Sequence, residues 1–358
     1  MQQEQFYAVD LFCGGGGLTC GLKQSGFCVV AGVELDKTAA ATYSANNPNT
    51  IMFNCDIKNI TGEDLLAASP NGKVDLIAAC PPCQGFSSLT AKYKTNDKRN
   101  LLINEVVRLV KQVKPSVILI ENVPGLANGR GNKIFQKAIS ELESVGYVLD
   151  YRICDVAEYG VPQHRKRLIV LGALGEKINV PESTNGNQRG KSPLKTVRET
   201  ISGISVPTVF NAKKQANEKI SSGWNVIRNI SEITFRRLQA IPPEGDRRNL
   251  PEVLRPRCHR KKDNGFINVY GRMKWDSPAP TITGGCVTLS KGRFGHPDQM
   301  RTISVYEAAL LQSFPKDYLF RARSIDEVCK IIGNAVPPYF ARVMSDRCMK
   351  FLRVKNGK

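Results

Sequence analysis

Histidine and tryptophan are scarce in this chain of 358 residues, at three and two. The histidines stand at 164, 259 and 296, too few and too scattered for a histidine-rich metal centre. Long apolar runs are missing as well. None approaches the ~20 residues that a membrane-crossing helix needs. The opening Met1-Gln2-Gln3-Glu4-Gln5 has no basic region leading into an apolar stretch, so no secretory leader is expected. Aromatic residues are 7%, but hydrophobic residues reach 41% and charged residues 23%, which is ordinary globular composition and excludes disorder, collagen and coiled coil. Eleven cysteines, an odd number in a long chain, predict reduced thiols in a cytoplasmic setting.

Acid is the remaining shortage. There are 32 acidic against 51 basic residues, for a net charge of +19. Residues 1–90 carry −4, residues 91–180 carry +6 and residues 181–358 carry +17. Solubility charge would be interspersed; an excess gathered in one half is the footprint of a polyanion-binding surface. The basic residues form no continuous amphipathic stretch and no lipidation signal is present, so nucleic acid is preferred over a membrane surface.

The first half alternates short apolar runs with helical stretches. Strands are expected at 6–12, 27–35, 74–79, 116–120 and 168–173, and helices at 18–26, 101–114 and 133–145. Such alternation predicts a doubly wound, mostly parallel α/β sheet. From about 175, Gly, Pro, Asn and Ser increase and periodicity fades, with helical patterning returning at 304–313 and 338–352. The expected division is a catalytic and cofactor-binding domain over 1–178, a smaller basic, nucleic-acid-binding domain over 179–300, and a hinge and C-terminal return to the first domain over 301–358.

Two loops carry the chemistry. DLFCGGGGL (10–18) lies between a predicted strand and a helix, where glycines permit tight turning and close backbone approach. Thr19 breaks the dinucleotide pattern that starts at Gly14, and no Gly-Lys-Ser/Thr follows. Glu34, twenty residues after Gly14, stands where a carboxylate can accept from both hydroxyls of a ribose. With Asp56 placed to meet an adenine edge, the three features indicate an adenosine cofactor that lacks a pyrophosphate. CPPCQGFS (80–87) follows the strand at 74–79, and its prolines stiffen the backbone before Cys83. The Cys80–Cys83 spacing also allows a zinc or a redox pair. Zinc would need a second pair or nearby histidines, and the surroundings do not resemble a thioredoxin unit.

With these loops in order, the chain resembles the cytosine-5 DNA methyltransferases over nearly its full length. The blocks are DLFCGGGGL, VELD (33–36), CDI (55–57), PPCQGFS (81–87), KRNLL (98–102), ENV (121–123), QHRKR (163–167) and GNAVPPYFA (333–341). It departs from the family at Tyr306 and Leu310, which replace common arginines, and at Leu35, where some members place an aromatic against adenine. The resemblance implies a Rossmann-like, S-adenosylmethionine-dependent enzyme that methylates carbon 5 of a flipped cytosine in duplex DNA and releases S-adenosylhomocysteine.

It also implies roles for individual residues. Cys83 adds to carbon 6, since carbon 5 is a poor nucleophile until a thiolate makes it enamine-like. Glu121 acts as the acid at ring nitrogen 3, a task that a water-poor pocket favours. Arg165 and Arg167 hold the base oxygen and a nearby phosphate, and Asn122 supports the strand end. Phe12, Gly14, Gly16, Leu18, Glu34, Leu35, Asp56, Ile57, Pro82, Asn334 and Val336 line the cofactor site. Gln84, Ser87, Arg247, Arg260, Lys261 and Lys274 contact DNA, mostly at phosphates. No metal is implied. The protein is expected to be a cytoplasmic monomer, with a cognate restriction endonuclease acting in the same system without a stable complex. The rival readings are a tRNA cytosine-5 methyltransferase and an inactive DNA-binding regulator of the same family.

Overall fold

A computed structural model describes residues 5–83, 101–210, 224–260 and 267–357. The N-terminal half runs β1 (Tyr7–Leu11), α1 (Gly17–Gln24), β2 (Cys28–Val33), α2 (Lys37–Asn46), β3 (Ile51–Phe53), α3 (Gly62–Ala67), β4 (Leu76–Ala79), α4 (Ile103–Val113), β5 (Val117–Asn122), α5 (Asn132–Ser144), β6 (Tyr147–Asp155) and β7 (Lys166–Leu174). Seven strands form one sheet in the order β3-β2-β1-β4-β5-β7-β6. The first five pair in parallel; β7 runs antiparallel to both β5 and β6. The mostly parallel, doubly wound sheet read from the sequence is present.

Composition explains which strands are interior. β4 (LIAA) and β5 (VILIEN) are buried at every position, as parallel strands covered on both faces must be. On one face, Val9, Leu11, Ile77, Ile118 and Ile120 meet Val106, Val107, Leu109 and Val110 of the strongly amphipathic α4. β6 is the exception: it lies at the sheet edge and exposes Val148, Tyr151 and Ile153. Its sequence YVLDYRICD has neither the unbroken apolar character nor the clean alternation by which strands are recognised, so it was not among the expected strands. The order reverses at β1, which has β2 on one side and β4 on the other. That switch point is where open α/β sheets bind ligands, beyond the strands' carboxyl ends. It brings the loop after β1 and the loop after β4 to the same end of adjacent strands.

The chain divides into two units. Unit 1 holds Met1–Tyr159, Lys166–Thr184 and Val336–Lys358; unit 2 holds Gly160–Arg165 and Asn185–Ala335. Within the stretch expected to hold the hinge and the return, 301–335 belongs to unit 2 and the return to unit 1 begins at Val336. The reason is visible inside unit 2. Arg301 forms a buried two-pronged ion pair with Glu307, at 2.7 Å for each prong, and the Trp224 indole donates to the Phe320 carbonyl at 3.1 Å. Unit 2 also holds more helix than its composition suggests: α6 (Val197–Ile201), α7 (Glu232–Ala240), α8 (Val305–Leu311) and α9 (Ile325–Asn334). Helices α8 and α9 start at capping boxes, Ser304 with Glu307 and Ser324 with Glu327. In unit 1, α10 (Pro338–Asn356) packs against α1. No helix among the described residues is long and apolar enough to cross a membrane.

Candidate active site

The loop after β1 takes a conformation that its glycines make possible. Gly14 and Gly16 have φ of 54° and 91°, and Phe12 between them and the strand is held at 58°, a strained value for an aromatic residue. Cys13 N–H still donates to Val33 O at 3.1 Å, so the β1–β2 ladder carries the loop to Glu34. There the half-buried Glu34 accepts from Gly14 N at 2.9 Å through Oε2 and from Asp36 N at 2.7 Å through Oε1. Each oxygen keeps a lone pair for a further donor. Asn54 donates to the carbonyls of Glu34 at 2.7 Å and of Leu35 at 3.3 Å. The sequence reading overlooked Asn54; its place two residues before Asp56 was the only available signal.

These residues fit the adenosine end of S-adenosylmethionine. The space beyond Gly14 is open, since a β-carbon built there meets no heavy atom within 4 Å. Leu35 is 66% exposed beside Glu34, an apolar surface without an aromatic ring. Asp56 caps the turn Ile57–Asn59 by accepting from Lys58 N at 3.0 Å. Ile57 and Leu18 are buried in the core, so Ile57 reaches a ligand only through its backbone. Phe12 packs partly against the core. Asn334 ends α9 in unit 2, and the buried Val336 starts the return to unit 1.

The loop after β4 leads to Cys83, which is 7% exposed. Asn122, at the end of the neighbouring β5, donates through Nδ2 to Pro81 O at 3.0 Å and accepts from Val123 N at 2.8 Å. It therefore pins the proline pair that fixes Cys83, with Pro82 between them. Burial pushes the Cys83 thiol up to about 11; contact with the Asn122 side chain opposes the rise and the charge of Glu121 adds to it. The resting form is a thiol.

Glu121 is buried at the end of β5, opposite Ile169 of β7. Arg167 lies two residues from Ile169, hence on the same face, and a diagonal cross-strand neighbour of that kind is within reach of a long side chain. Its Nε meets Glu121 Oε1 at 2.7 Å. Arg165 has different partners from Arg167. Its guanidinium is buried in unit 2, where it donates to Ile282 O at 2.9 Å and Gly333 O at 3.0 Å. The carbonyls at a helix C-terminus lack intrahelical partners and attract a cation, so Arg165 secures the end of α9. Gln163 joins it, accepting from Ile282 N and donating to Gln312 Oε1, both at 2.7 Å, while Gln312 donates to Ile332 O. Gln312 was not read from sequence, because nothing local distinguishes it from a surface glutamine.

Two of the expected DNA contacts have surroundings of their own. Arg247 is 3% exposed, so little of its side chain is offered to solvent. Lys274 is half exposed and lies 3.2 Å from Glu244. Arg260 is exposed and leans on Arg255 O at 3.3 Å. Gln84, Ser87 and Lys261 lie outside the described residues, as does most of the block at 98–102.

Comparison with known proteins places this geometry. A profile of the family described as C-5 cytosine-specific DNA methylase matches residues 6–350. The type II methylase M.HgiDII of Herpetosiphon aurantiacus is 37% identical over 350 residues, covering 96% of this chain and 95% of that protein. The type II methyltransferase M1.HphI of Haemophilus parahaemolyticus is 31% identical, covering 96% and 86%. Among solved structures, a candidate DNA modification methyltransferase encoded within an E. coli prophage superposes with a TM-score of 0.74 at 22% identity, covering 98% of this chain and 100% of that one. The Dnmt2 methyltransferase of S. pombe gives 0.63 at 18%, covering 99% and 100%. At those identities the superpositions speak for the fold.

Proposed function

The chain belongs to the C-5 cytosine-specific DNA methylase family, and from that premise we propose that it methylates carbon 5 of cytosine in a specific duplex DNA sequence through a covalent adduct on Cys83. One observation carries the proposal: the neighbouring ends of β4 and β5 hold a buried thiol, behind a proline pair pinned by Asn122, and the buried Glu121, which is itself 2.7 Å from Arg167.

Each group then has a task. Cys83 gives its proton to solvent and its sulfur forms a bond to carbon 6, so the ring's electron density moves toward carbon 5 and nitrogen 3. Once carbon 5 carries the methyl, its hydrogen leaves as a proton to water and the carbon–sulfur bond breaks with its pair returning to sulfur. Glu121 carries the proton at nitrogen 3, with Arg167 holding its carboxyl in place and donating toward the base oxygen. Asn122 keeps the proline pair rigid, so the sulfur approaches from a fixed direction. Glu34 orients the ribose and Leu35 covers the adenine of S-adenosylmethionine, which when bound there supplies an electrophilic methyl on a sulfonium. The target carbon is inaccessible inside a duplex, so the base must leave the stack. Exposed basic residues of unit 2 such as Arg260 hold the DNA backbone. Relatives that bear type II names support a role beside a restriction endonuclease.

A duplex with 5-fluorocytosine at the target tests the mechanism, because fluorine cannot leave as a cation and elimination stops. In the presence of S-adenosylmethionine the protein should form an adduct that survives denaturing electrophoresis, with Cys83 as the modified residue. Cys83→Ala should give none and Cys80→Ala should still give it. The reverse pattern would remove Cys83 as nucleophile, and transfer of labelled methyl to tRNA but not to duplex DNA would replace the substrate.

A further inference from the structure

Beneath the glycine loop lies a buried acid that the mechanism above does not use. Asp10 is the fourth residue of β1 and is wholly buried. Its register partners are Gly32 on β2 and Ala78 on β4, so its neighbours on that face carry almost no side-chain bulk. The Tyr43 ring of α2 fills part of the space; a β-carbon on Gly32 would fall 2.7 Å from it. Thr19 Oγ1 donates to Asp10 Oδ2 at 2.7 Å and lies 3.0 Å from the Tyr43 hydroxyl. A hydroxyl has one proton to give, so Tyr43 is the donor to Thr19. The second carboxyl oxygen, Oδ1, is buried and has no hydrogen-bond partner.

Among the described residues, the titratable groups around this carboxyl are acids. Glu34 acts on it from the end of β2; Cys13 in the loop and Cys80 at the end of β4 feel its charge in turn. Tyr43 reaches it from α2 through Thr19, and Thr19 itself, from α1, does not titrate. Burial is the largest influence and pushes Asp10 up to about 7, with the Thr19 hydrogen bonds opposing and Glu34 adding. A buried carboxyl with an unused oxygen and, among the described residues, no cation beside it is costly and calls for a reason. Its position under a ligand-binding loop supplies one: the missing counter-ion arrives with the ligand.

We infer that Asp10 is a positioning residue that makes the donor site selective for charge, acting as the buried counter-ion of the sulfonium of S-adenosylmethionine and disfavouring the neutral thioether of S-adenosylhomocysteine. The inference rests on the cofactor assignment proposed above. Attraction between unlike charges in a low-dielectric interior extends over several ångströms, so no direct contact is required. Donor binding favours the Asp10 carboxylate and releases its proton to solvent. When the methyl leaves, the bonding pair stays on sulfur, the positive charge is gone, and Asp10 recovers a proton from solvent. The product is then held without its former partner and is more readily released.

Calorimetric titration with each ligand, between about pH 6 and 8.5 and in buffers of different ionisation enthalpy, reads this directly. Below the pH at which Asp10 ionises, affinity for the donor should rise by up to about tenfold per pH unit relative to the product, and level off above it. The α-amino group is common to both ligands and cancels in the ratio. Proton release should accompany the donor alone. Asp10→Asn should flatten the pH dependence of the ratio and lower its plateau by about tenfold, the equivalent of one pH unit of linkage. Thr19→Val removes a hydrogen bond that favours the carboxylate, so the rise should move to higher pH; this decides the matter if Asp10→Asn does not fold. Binding of both ligands without proton linkage, or a pH-dependent ratio surviving in Asp10→Asn, would overturn the role of Asp10 and leave the cofactor assignment intact. Failure of wild type to bind either ligand would overturn that assignment, and this inference with it.

Discussion

The two units bury charge of opposite sign. Among the described residues, the buried charged residues of unit 1 are acids, Asp10, Asp75 and Glu121, whereas unit 2 buries four arginines, Arg165, Arg247, Arg272 and Arg301, against two acids, Asp246 and Glu307. Asp10 and Glu121 stand near the carboxyl ends of parallel strands, where a ligand would meet them. Arg165 and Arg272 are held by backbone carbonyls, and Arg301 chiefly by the Glu307 carboxylate. Arg272 donates to His296 O at 3.2 Å, Ile241 O at 3.4 Å and Pro297 O at 2.6 Å. Unit 2 has little regular structure, so many of its backbone carbonyls lack ladder partners, and a guanidinium with five donors can satisfy several at once. Part of the basic excess of the second half is therefore internal scaffolding rather than a surface for DNA.

The acids of unit 1 should show the largest effects. Glu121→Gln should slow adduct formation on the fluorinated duplex by about 10²–10⁴-fold, the usual cost of one general acid; single-turnover rates would measure it, with stability little changed. A smaller effect indicates that Arg167 alone carries the developing charge. The neighbouring thiol gives a graded response. With Cys83 held at about 11, its alkylation by a haloacetamide in the free protein should rise about tenfold per pH unit up to that point. A plateau near neutral pH, followed by peptide mapping to Cys83, would mean that the thiol is already ionised.

The arginines of unit 2 should answer in stability. Arg301→Ala leaves Glu307 buried without its cation and should cost about 3–5 kcal/mol in denaturant unfolding. An unchanged midpoint would remove the pair as the element that ties 301–335 to unit 2. The smallest effect separates the two kinds of arginine. Arg260→Ala should lower the slope of log affinity for duplex DNA against log salt by about one, without destabilising the fold. Arg247→Ala should do the opposite, leaving the slope unchanged and weakening the fold. A wild-type slope in both variants would show that neither touches phosphate.

Local residue pattern was enough for the parallel core, the glycine loop and the cysteine loop. Interior parallel strands need unbroken apolar runs, and a loop that turns beside a ligand needs glycine or proline at fixed places, so VDLIAA, SVILI, DLFCGGGGL and CPPC declared themselves. The partners of side chains that reach across the sequence were not legible. Arg165 and Arg167 are two residues apart in one motif, yet one secures the end of α9 and the other holds Glu121. Nothing in Gln-His-Arg-Lys-Arg distinguishes them, because each role depends on which carbonyl or carboxylate the fold brings to it. The same holds for Arg247, whose burial follows from packing, and for Gln312, whose two amide bonds go to residues 149 and 20 positions away. Sequence determined where the chain could turn and what it could bury; tertiary structure alone decided which charges meet, since pairing energy depends on distance and desolvation, and neither is a local property of the chain.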